Sequence, residues 1–331
     1  MAPAPERRAP DLPLLRLESL RAELFTARGV ARACDDVDLS LRRGRVLGLV
    51  GESGSGKSMT ALSILRLLPA SIRHALSGRV WFDGVDLLAL SPGAMRRLRG
   101  GRIGMVFQNP GTSLDPVFTV GDQLAETLRL RGVKGGERVR ARSVELLAQV
   151  RIARPAERLA AYPWELSGGM QQRVMIALAL AGDPDLLIAD EPTTALDVTV
   201  QARVLSLLRS LVEGRGLAVL LITHDLGVVA EAADEVAVMY AGRIVETAAV
   251  GDLFARPLHP YTEGLLASAK ALDRGGRRPA AAIRGQAPPL TDLPSGCAFR
   301  TRCPKAMAVC AGTPPPVTAF PDRTVRCYLY P

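Results

Sequence analysis

The chain is 331 residues long, and 48% of its residues are hydrophobic while 23% are charged, which is typical of a folded globular protein and excludes a disordered one. Its formal net charge is +9, a balance that would suit a nucleic-acid partner. The basic residues are scattered, however, and aromatic residues make up only 4%, too few for a surface that stacks on bases. We therefore expect no nucleic acid among the partners.

The apolar runs of the chain are short. Runs such as residues 217–222 fall far below the roughly 20 residues that a membrane-spanning helix needs. The first eight residues, Met-Ala-Pro-Ala-Pro-Glu-Arg-Arg, carry charge with no apolar stretch behind it, so they do not resemble a signal peptide. The sequence therefore predicts a protein that stays in the cytosol and does not cross a membrane by itself.

Short apolar runs alternate with amphipathic stretches from residue 15 to about residue 250. The short runs predict buried strands at 46–50, 186–189 and 218–222. The amphipathic stretches predict helices at 58–68, 138–150, 171–181 and 200–212. Buried strands that alternate with helices indicate an α/β fold with a mostly parallel sheet covered on both faces. The stretch 138–150 would belong to a helical insertion beside that sheet.

A phosphate-binding loop is predicted at residues 51–58, Gly-Glu-Ser-Gly-Ser-Gly-Lys-Ser, which fits the P-loop pattern and stands between a predicted strand and a predicted helix. Its glycines let backbone N–H groups point at phosphate oxygens, and the helix adds the dipole of its N-terminus. Lys57 would neutralise β- and γ-phosphate charge, and the Ser58 hydroxyl would bind Mg²⁺. The predicted ATP-binding residues here are Gly51, Glu52, Ser53, Gly54, Ser55, Gly56, Lys57, Ser58 and Met59.

Two acids, Asp190 and Glu191, follow the predicted strand 186–189. At the end of a buried strand, Asp190 can hold the water shell of Mg²⁺, and Glu191 can orient and deprotonate the attacking water. Two acids that simply begin a surface loop are the alternative, which the P-loop elsewhere in the chain makes less favourable. The pair therefore indicates ATP hydrolysis, with Glu191 as the catalytic base.

Four further motifs resemble those of ATP-binding-cassette ATPases. Residues 166–171, Leu-Ser-Gly-Gly-Met-Gln, resemble the signature sequence of that family, and Gln108 resembles its Q-loop glutamine. Asp197 resembles the D-loop aspartate, and His224 resembles the switch histidine. The resemblance implies a P-loop NTPase fold with a RecA-like core, an antiparallel β subdomain and a helical subdomain at about 109–170. The whole ATP-binding domain would span residues 14–250.

The resemblance also implies a mechanism, in which two cassettes face each other and enclose each ATP between the P-loop of one and the signature of the other. Residues 167–169 would offer helix N-terminal N–H groups to the partner's nucleotide, although Ser167 is equally a good N-cap residue. Gln108 would bind Mg²⁺, and His224 would contact the γ-phosphate. Phe25 is the candidate aromatic residue that stacks on adenine, with a place in the core as the alternative. The signature residues are Ser167, Gly168, Gly169, Met170 and Gln171.

Three segments resemble the peptide and nickel importer ATPases in particular: residues 51–58, residues 113–122, and His-Pro-Tyr-Thr at 259–262 with Leu265. Met170 resembles the first, D-type, of the two ATPase subunits in those importers, while Gln171 departs from the Arg that is frequent in relatives. This resemblance implies a heterodimer with a second ATPase subunit, two membrane-spanning permease subunits and an extracytoplasmic substrate-binding protein. The chain would lie on the cytoplasmic face of the cell membrane as a peripheral subunit that powers peptide import.

Two other functions fit the sequence less well. A soluble cassette ATPase acting on nucleic acid or ribosomes usually carries two cassettes or long coiled insertions, and this chain has neither. A regulatory, metal-sensing module would not need the complete set of Lys57, Asp190 and Glu191. The cargo stays open from the sequence among dipeptides, oligopeptides, nickel and other solutes, because other chains select it.

The pattern changes beyond residue 251, where prolines recur and a charged linker stands at 273–278. Prolines break long elements, so residues 251–331, called the extension below, are predicted to form a small irregular appendage. Such a segment has little core and needs another source of stability.

The extension also holds four of the five cysteines, Cys297, Cys303, Cys310 and Cys327, whereas Cys34 stands apart. Four thiolates can bind Zn²⁺ or an iron–sulfur cluster. The C-x₂-C knuckle typical of zinc sites is missing, and the spacing is not that of ferredoxins. Dipeptide-importer relatives carry Gly-Cys-x₅-Cys-Pro-x₅-Cys in this region and bind a [4Fe–4S] cluster, so the resemblance favours that cluster, with Zn²⁺, or free or disulfide-bonded thiols, as the alternatives.

Overall fold

The computed structural model describes residues 12–194, 196–273 and 283–330. The chain divides into two compact units: the first unit comprises Met1–Arg45, Gly51–Leu90 and Glu235–Pro331, and the second comprises Val46–Val50 and Ser91–Asp234. The predicted linker at 273–278 lies, apart from Asp273, outside the described residues. Within the described ranges, no helix combines the length and the apolar character needed to span a bilayer.

The strands and helices follow the alternation that the sequence predicts. The strands are β1 (Leu15–Thr26), β2 (Gly29–Leu41), β3 (Val46–Val50), β4 (His74–Phe82), β5 (Val85–Asp86), β6 (Ile103–Val106), β7 (Leu186–Asp190), β8 (Ala218–Thr223), β9 (Glu235–Tyr240), β10 (Arg243–Ala249), β11 (Thr318–Ala319) and β12 (Thr324–Val325). The α-helices are α1 (Lys57–Ile64), α2 (Pro92–Leu98), α3 (Pro110–Ser113), α4 (Val120–Leu130), α5 (Gly136–Gln149), α6 (Pro155–Arg158), α7 (Gly168–Leu180), α8 (Val198–Arg215), α9 (Leu226–Ala232), α10 (Val250–Ala255) and α11 (Pro260–Asp273).

The first unit contains an antiparallel sheet in the order β2-β1-β4-β5. Along β1, Leu15 and Leu17 are buried while Arg16 between them is exposed, which is the alternation of a strand with one face on a core. Strands β9 and β10 form an antiparallel pair in the same unit. The sheet is the antiparallel β subdomain that the resemblance implies.

The second unit is built on parallel strands in the order β3-β8-β7-β6. Every residue of β3, β7 and β8 is buried, as expected for strands that helices cover on both faces. The strands predicted at 46–50, 186–189 and 218–222 are therefore confirmed. Helices α4, α5, α7 and α8 contribute to one continuous apolar core with β6, β7 and β8.

The helix predicted at 58–68 is α1, which ends earlier than expected. Arg66 adopts the left-handed backbone conformation at φ 52°, and the Leu67 N–H donates to the Leu62 carbonyl over 2.8 Å. This is a Schellman helix end, which usually carries glycine at the left-handed position. Here the Arg66 guanidinium donates to the Leu90 carbonyl over 2.6 Å, so tertiary contacts hold a residue that the sequence does not mark as a stop.

The described part of the extension belongs to the first unit. Its strand β12 pairs with β10, and β11 pairs with β12. The rings of Tyr240, Tyr261 and Phe299 pack together with centroid distances of 4.6–5.3 Å. The buried Glu246 carboxylate on β10 accepts the Leu258 N–H over 2.8 Å. Strand pairing, aromatic packing and this buried acceptor therefore stabilise the extension.

Candidate active site

In the first unit, the P-loop follows β3 in sequence and leads into α1. Gly56 has φ 108°, and a Cβ atom there would lie 2.1 Å from the Ala33 carbonyl oxygen, so only glycine fits. The side chain of Lys57 is buried, and its Nζ donates to the carbonyl oxygens of Gly51 and Glu52 over 2.8 and 3.0 Å. The loop therefore folds around its own lysine as a P-loop does.

Other residues of the loop fit a phosphate ligand. The Ser55 hydroxyl oxygen is buried and has no hydrogen-bond partner among the described residues, so a ligand oxygen would satisfy it. Ser53 and Gly54 are exposed and line an open cavity of about 660 Å³ with the β1–β2 turn and residues 287–291. Ser58 and Met59 lie half-buried in the first turn of α1.

Phe25 lies near the end of β1 and is half-buried, so it is not part of the buried core. The Arg73 guanidinium carbon lies 4.8 Å from the centroid of its ring, within the range of a cation–π contact. Phe25 is outside the set of residues that line the cavity beside the P-loop. Its role in stacking on adenine stays a prediction.

In the second unit, Glu191 lies directly after β7 and forms the centre of a polar cluster. Its Oε1 lies 3.0 Å from His224 Nδ1, and its Oε2 accepts from Thr194 Oγ1 over 2.6 Å and from Gln108 Nε2 over 3.4 Å. Glu191 and His224 follow neighbouring parallel strands, and Gln108 lies two residues beyond the next, β6. The structure thus brings together three residues that the sequence predicts for the site and adds Thr194, which the sequence analysis missed.

The geometry of Glu191 suits an oriented carboxylate. Its φ of 47° is uncommon for a residue other than glycine, and its N–H donates to the Ile222 carbonyl over 2.8 Å. The Glu191 side chain is 12% exposed and that of His224 is 58% exposed. A carboxylate that is nearly buried, yet faced by an accessible imidazole, can hold a water molecule and accept its proton.

Asp190 ends β7 and is buried. The Asp190 carboxylate and the Gln108 amide in the second unit, and the Ser58 hydroxyl in the first unit, each offer an oxygen atom of the kind that Mg²⁺ prefers. These residues therefore fit the ion that ATP hydrolysis requires.

The signature segment, residues 166–171, begins α7. Ser167 occupies the N-cap position at φ −64°, ψ 156°, and its carbonyl accepts the Gln171 N–H over 2.9 Å. Its hydroxyl makes no capping hydrogen bond with the part of the chain that the structure describes. Gly168 is exposed, whereas a Cβ atom at Gly169 would lie 2.3 Å from Val200 Cγ1. Close packing of α7 on α8 thus requires glycine at 169.

The remaining predicted residues also have structural contacts. Met170 packs against the core of the second unit, and Gln171 Nε2 donates to the Pro163 carbonyl over 2.8 Å, which ties the helix to the preceding turn. Asp197 caps α8, since its Oδ1 accepts the Val200 N–H over 3.0 Å. These contacts explain the residue types locally without excluding a role toward a second cassette.

The four cysteines of the extension, Cys297, Cys303, Cys310 and Cys327, line one cavity together with His259 and Phe299. All are free thiols, and burial raises the pKa of Cys297 to about 11. In the described residues, no group of three or more His, Cys, Asp or Glu side chains is arranged to hold a single metal ion. Cys34 lies elsewhere, on β2, with its Sγ 3.3 Å from Thr60 Oγ1.

Sequence analysis also missed two residues of the extension that touch the P-loop. Arg302 donates two hydrogen bonds to the Glu52 carboxylate, and the Tyr261 hydroxyl accepts the Glu52 N–H. Tyr261 lies inside the His-Pro-Tyr-Thr segment and Arg302 directly precedes Cys303. Their positions beside conspicuous motifs were the available signal, but neither motif predicts the contact.

A P-loop in the first unit and, in the second, a carboxylate held by a histidine at the ends of parallel strands are the features of an ATPase. Comparison with protein families gives its class, since a model described as "ABC transporter" matches residues 34–194. The chain belongs to this family and is an ATP-binding-cassette ATPase. A second model, "Oligopeptide/dipeptide transporter, C-terminal region", matches residues 245–310 and places the chain in that branch.

Similar proteins support both assignments. The chain is 50% identical to a probable peptide ABC transporter ATP-binding protein of Sinorhizobium fredii over 95% of its own length and 94% of the relative. It is 48% identical to the oligopeptide transport ATP-binding protein AppD of Bacillus subtilis, over 96% and 97% of the two chains.

Solved structures agree on the fold. The ATP-binding cassette MJ0796, in a dimeric post-hydrolysis state bound to ADP and Pi, is 28% identical with a TM-score of 0.63, covering 71% of this chain and 98% of that one. CbiO1 of Clostridium perfringens, part of the transporter complex cbiONQ, is 26% identical with a TM-score of 0.64, covering 80% and 98%. The predicted α/β P-loop NTPase fold is therefore confirmed.

Proposed function

We propose that the chain is the ATP-hydrolysing subunit that powers import of dipeptides or oligopeptides, acting from the cytoplasmic face of the cell membrane. The observation that carries this proposal is the union, in one chain, of a cassette ATPase with a C-terminal region of the oligopeptide/dipeptide transporter type. The names of the relatives describe peptide and oligopeptide transport, which supports the same cargo class.

We also propose a division of the chain into two domains. We assign residues 14–250 to the ATP-binding domain, with a helical subdomain at about 109–170, and 251–331 to the extension. The two family matches, at 34–194 and 245–310, support this division. The partners would be a second ATPase subunit, two membrane-spanning permeases and an extracytoplasmic substrate-binding protein.

Within the ATP site, each group has a distinct task. Lys57 and the backbone N–H groups of the P-loop bind the phosphates, while Mg²⁺ neutralises phosphate charge when it is bound. Glu191 accepts the proton of the attacking water. His224 and Thr194, which contact its two carboxylate oxygens, orient that carboxylate. The signature segment would complete the ATP site of the second cassette.

Isolated chain should hydrolyse ATP slowly, because each site would need the signature segment of a partner cassette. Adding the second ATPase subunit and the permeases should raise kcat by roughly tenfold or more, since preorganised N–H donors stabilise developing phosphate charge. ATPase rates of the chain alone, with permeases only, and with the full set of subunits would show this. Full activity of a strictly monomeric chain, independent of cargo, would contradict the proposal.

We also propose that the four cysteines of the extension hold a [4Fe–4S] cluster. All four line one cavity. Burial is the main cause that raises the pKa of Cys297, and the other three thiols lie close enough to raise it further. In a cubane each thiolate binds a different iron, so the four sulfurs need not converge on one point, as the ligands of Zn²⁺ must. The observation that supports the cluster is therefore the single cavity that the four thiols share.

The cluster would serve structure, because nothing in ATP-driven import requires electron transfer. Anaerobically purified protein should be brown with about four irons per chain. Cys303→Ser should lose iron and loosen the extension. Cys34→Ser, the matched control on β2, should keep its iron and an intact extension. One zinc per chain, or a colourless protein with four titratable thiols after anaerobic handling, would rule the cluster out.

A further inference from the structure

Glu52 places a negative charge in a loop that binds negative phosphates. It is the second residue of the P-loop, and its side chain is only 28% exposed. An uncompensated carboxylate in this position would repel the triphosphate of ATP, because like charges at close range and low dielectric destabilise each other. The loop therefore needs a nearby cation in addition to Lys57, whose Nζ donates to the carbonyl oxygens of Gly51 and Glu52.

Arg302 of the extension supplies that cation. Its Nη1 donates to Glu52 Oε2 over 2.6 Å and its Nη2 donates to Glu52 Oε1 over 2.9 Å, which is the bidentate geometry of a strong arginine–carboxylate pair. The Arg302 side chain is 6% exposed, so solvent does little to screen the pair. The hydrogen bonds that Arg302 donates to Glu52 raise the pKa of Arg302, so the guanidinium stays charged.

The extension also fixes the orientation of Arg302. Its Nε donates to the Arg284 carbonyl over 2.9 Å, and its Nη2 donates to the Gly285 carbonyl over 3.2 Å. The Tyr240 hydroxyl lies 3.3 Å from its Nη1. Because these contacts already fix the guanidinium, its two parallel N–H groups face Glu52 before the pair forms. Little conformational entropy is therefore lost in forming the pair.

Glu52 joins the extension to the phosphate-binding lysine through its own backbone. Its N–H donates to the Tyr261 hydroxyl over 2.9 Å, and its carbonyl oxygen accepts from Lys57 Nζ over 3.0 Å. Glu52 therefore contacts the phosphate-binding lysine, Lys57, on one side and two residues of the extension, Tyr261 and Arg302, on the other.

We propose that Arg302 is a positioning residue of the ATP site, which cancels the charge of Glu52 and holds the P-loop in its phosphate-binding shape. The extension of the chain thereby sets the affinity of the same chain for ATP. Because the effect is largely electrostatic, it falls more strongly on ATP than on ADP, which carries less negative charge.

Arg302→Gln should weaken MgATP binding by roughly ten- to hundredfold, as expected for the loss of charge-assisted hydrogen bonds, and should weaken MgADP binding less. Arg302→Lys, which keeps the charge but not the fork, should lie between this variant and the wild type. Arg300→Gln is the matched control, since Arg300 contacts Ser295 and not the P-loop. Titration calorimetry of the full chain with MgATP and MgADP measures all of these affinities.

The double variant Glu52→Gln/Arg302→Gln separates charge compensation from a role in folding. Removing both charges should restore MgATP affinity to within roughly threefold of the wild type. A double variant that binds as weakly as Arg302→Gln, or an Arg302→Gln protein that binds normally, would overturn the proposal. If Arg302→Gln does not fold, Arg302→Lys decides: it should bind MgATP several-fold more weakly than the wild type with a smaller loss for MgADP, and unchanged MgATP binding would overturn the proposal.

Discussion

Replacing Glu191 with glutamine is expected to lower the ATPase kcat of the assembled transporter by roughly 10²–10⁴-fold while leaving ATP binding intact. Glutamine has the shape of glutamate and can still orient a water molecule, but its amide cannot accept the proton. His224 Nδ1 and Thr194 Oγ1 hold the two carboxylate oxygens at 3.0 and 2.6 Å. The position of the side chain should therefore survive the substitution, and the proton acceptor alone is removed.

The experiment compares ATPase rate and ATP affinity of the wild type, Glu191→Gln and Glu126→Gln in the assembled complex. Glu126 lies exposed on α4, and its substitution controls for the loss of one carboxylate anywhere on the cassette. A Glu191→Gln complex that keeps more than about a tenth of the wild-type rate would exclude Glu191 as the base, since general-base catalysis contributes more than that.

Replacing Lys57 with alanine is expected to act at an earlier step and weaken ATP binding by about a hundredfold or more, as removal of charged hydrogen bonds to two phosphates implies. The Lys57 ammonium lies within the P-loop, donating to the carbonyl oxygens of Gly51 and Glu52. It is thus pre-positioned beside the N–H groups that bind phosphate, and its loss removes the only lysine of the loop.

Equilibrium binding of ATP to the full chain measures this effect, with Lys134→Ala as the control. Lys134 lies exposed in the connection between α4 and α5, so removing it changes the net charge equally but leaves the P-loop untouched. Binding by Lys57→Ala within roughly threefold of the wild type would show that the lysine does not hold the phosphates. The contrast with Glu191→Gln separates binding from chemistry.

The cluster of polar residues around Glu191 follows from the sequence because these residues stand at strand ends. Asp190, Glu191 and His224 each stand at or just after a buried apolar run, and the carboxyl ends of parallel strands share one edge of a sheet. The convergence of Gln108, Glu191 and His224 was thus implied once the strands were identified. Thr194 was missed as a partner of Glu191, since a hydroxyl in a turn carries no distinctive pattern.

The contacts of the extension could not be predicted in the same way. The pair Arg302–Glu52 joins residues 250 positions apart, and no periodicity links them. The clustering of the cysteines in the sequence agrees with the one cavity that they line, but the spacing between them does not decide among a cluster, Zn²⁺ and free or disulfide-bonded thiols. The end of α1 at Arg66 could not be predicted for a related reason, because a carbonyl group distant in the sequence stabilises the left-handed backbone of Arg66.

The most direct test of the account is ATP-dependent peptide uptake by the reconstituted transporter. The chain would be assembled with its permeases and a second ATPase subunit in vesicles that enclose ATP, with the substrate-binding protein and labelled peptides outside. We expect uptake of dipeptides or oligopeptides by the wild-type and Glu126→Gln complexes and almost none with Lys57→Ala or Glu191→Gln. Uptake of nickel or another solute but no peptide, or peptide uptake that continues with both variants, would contradict the proposed function.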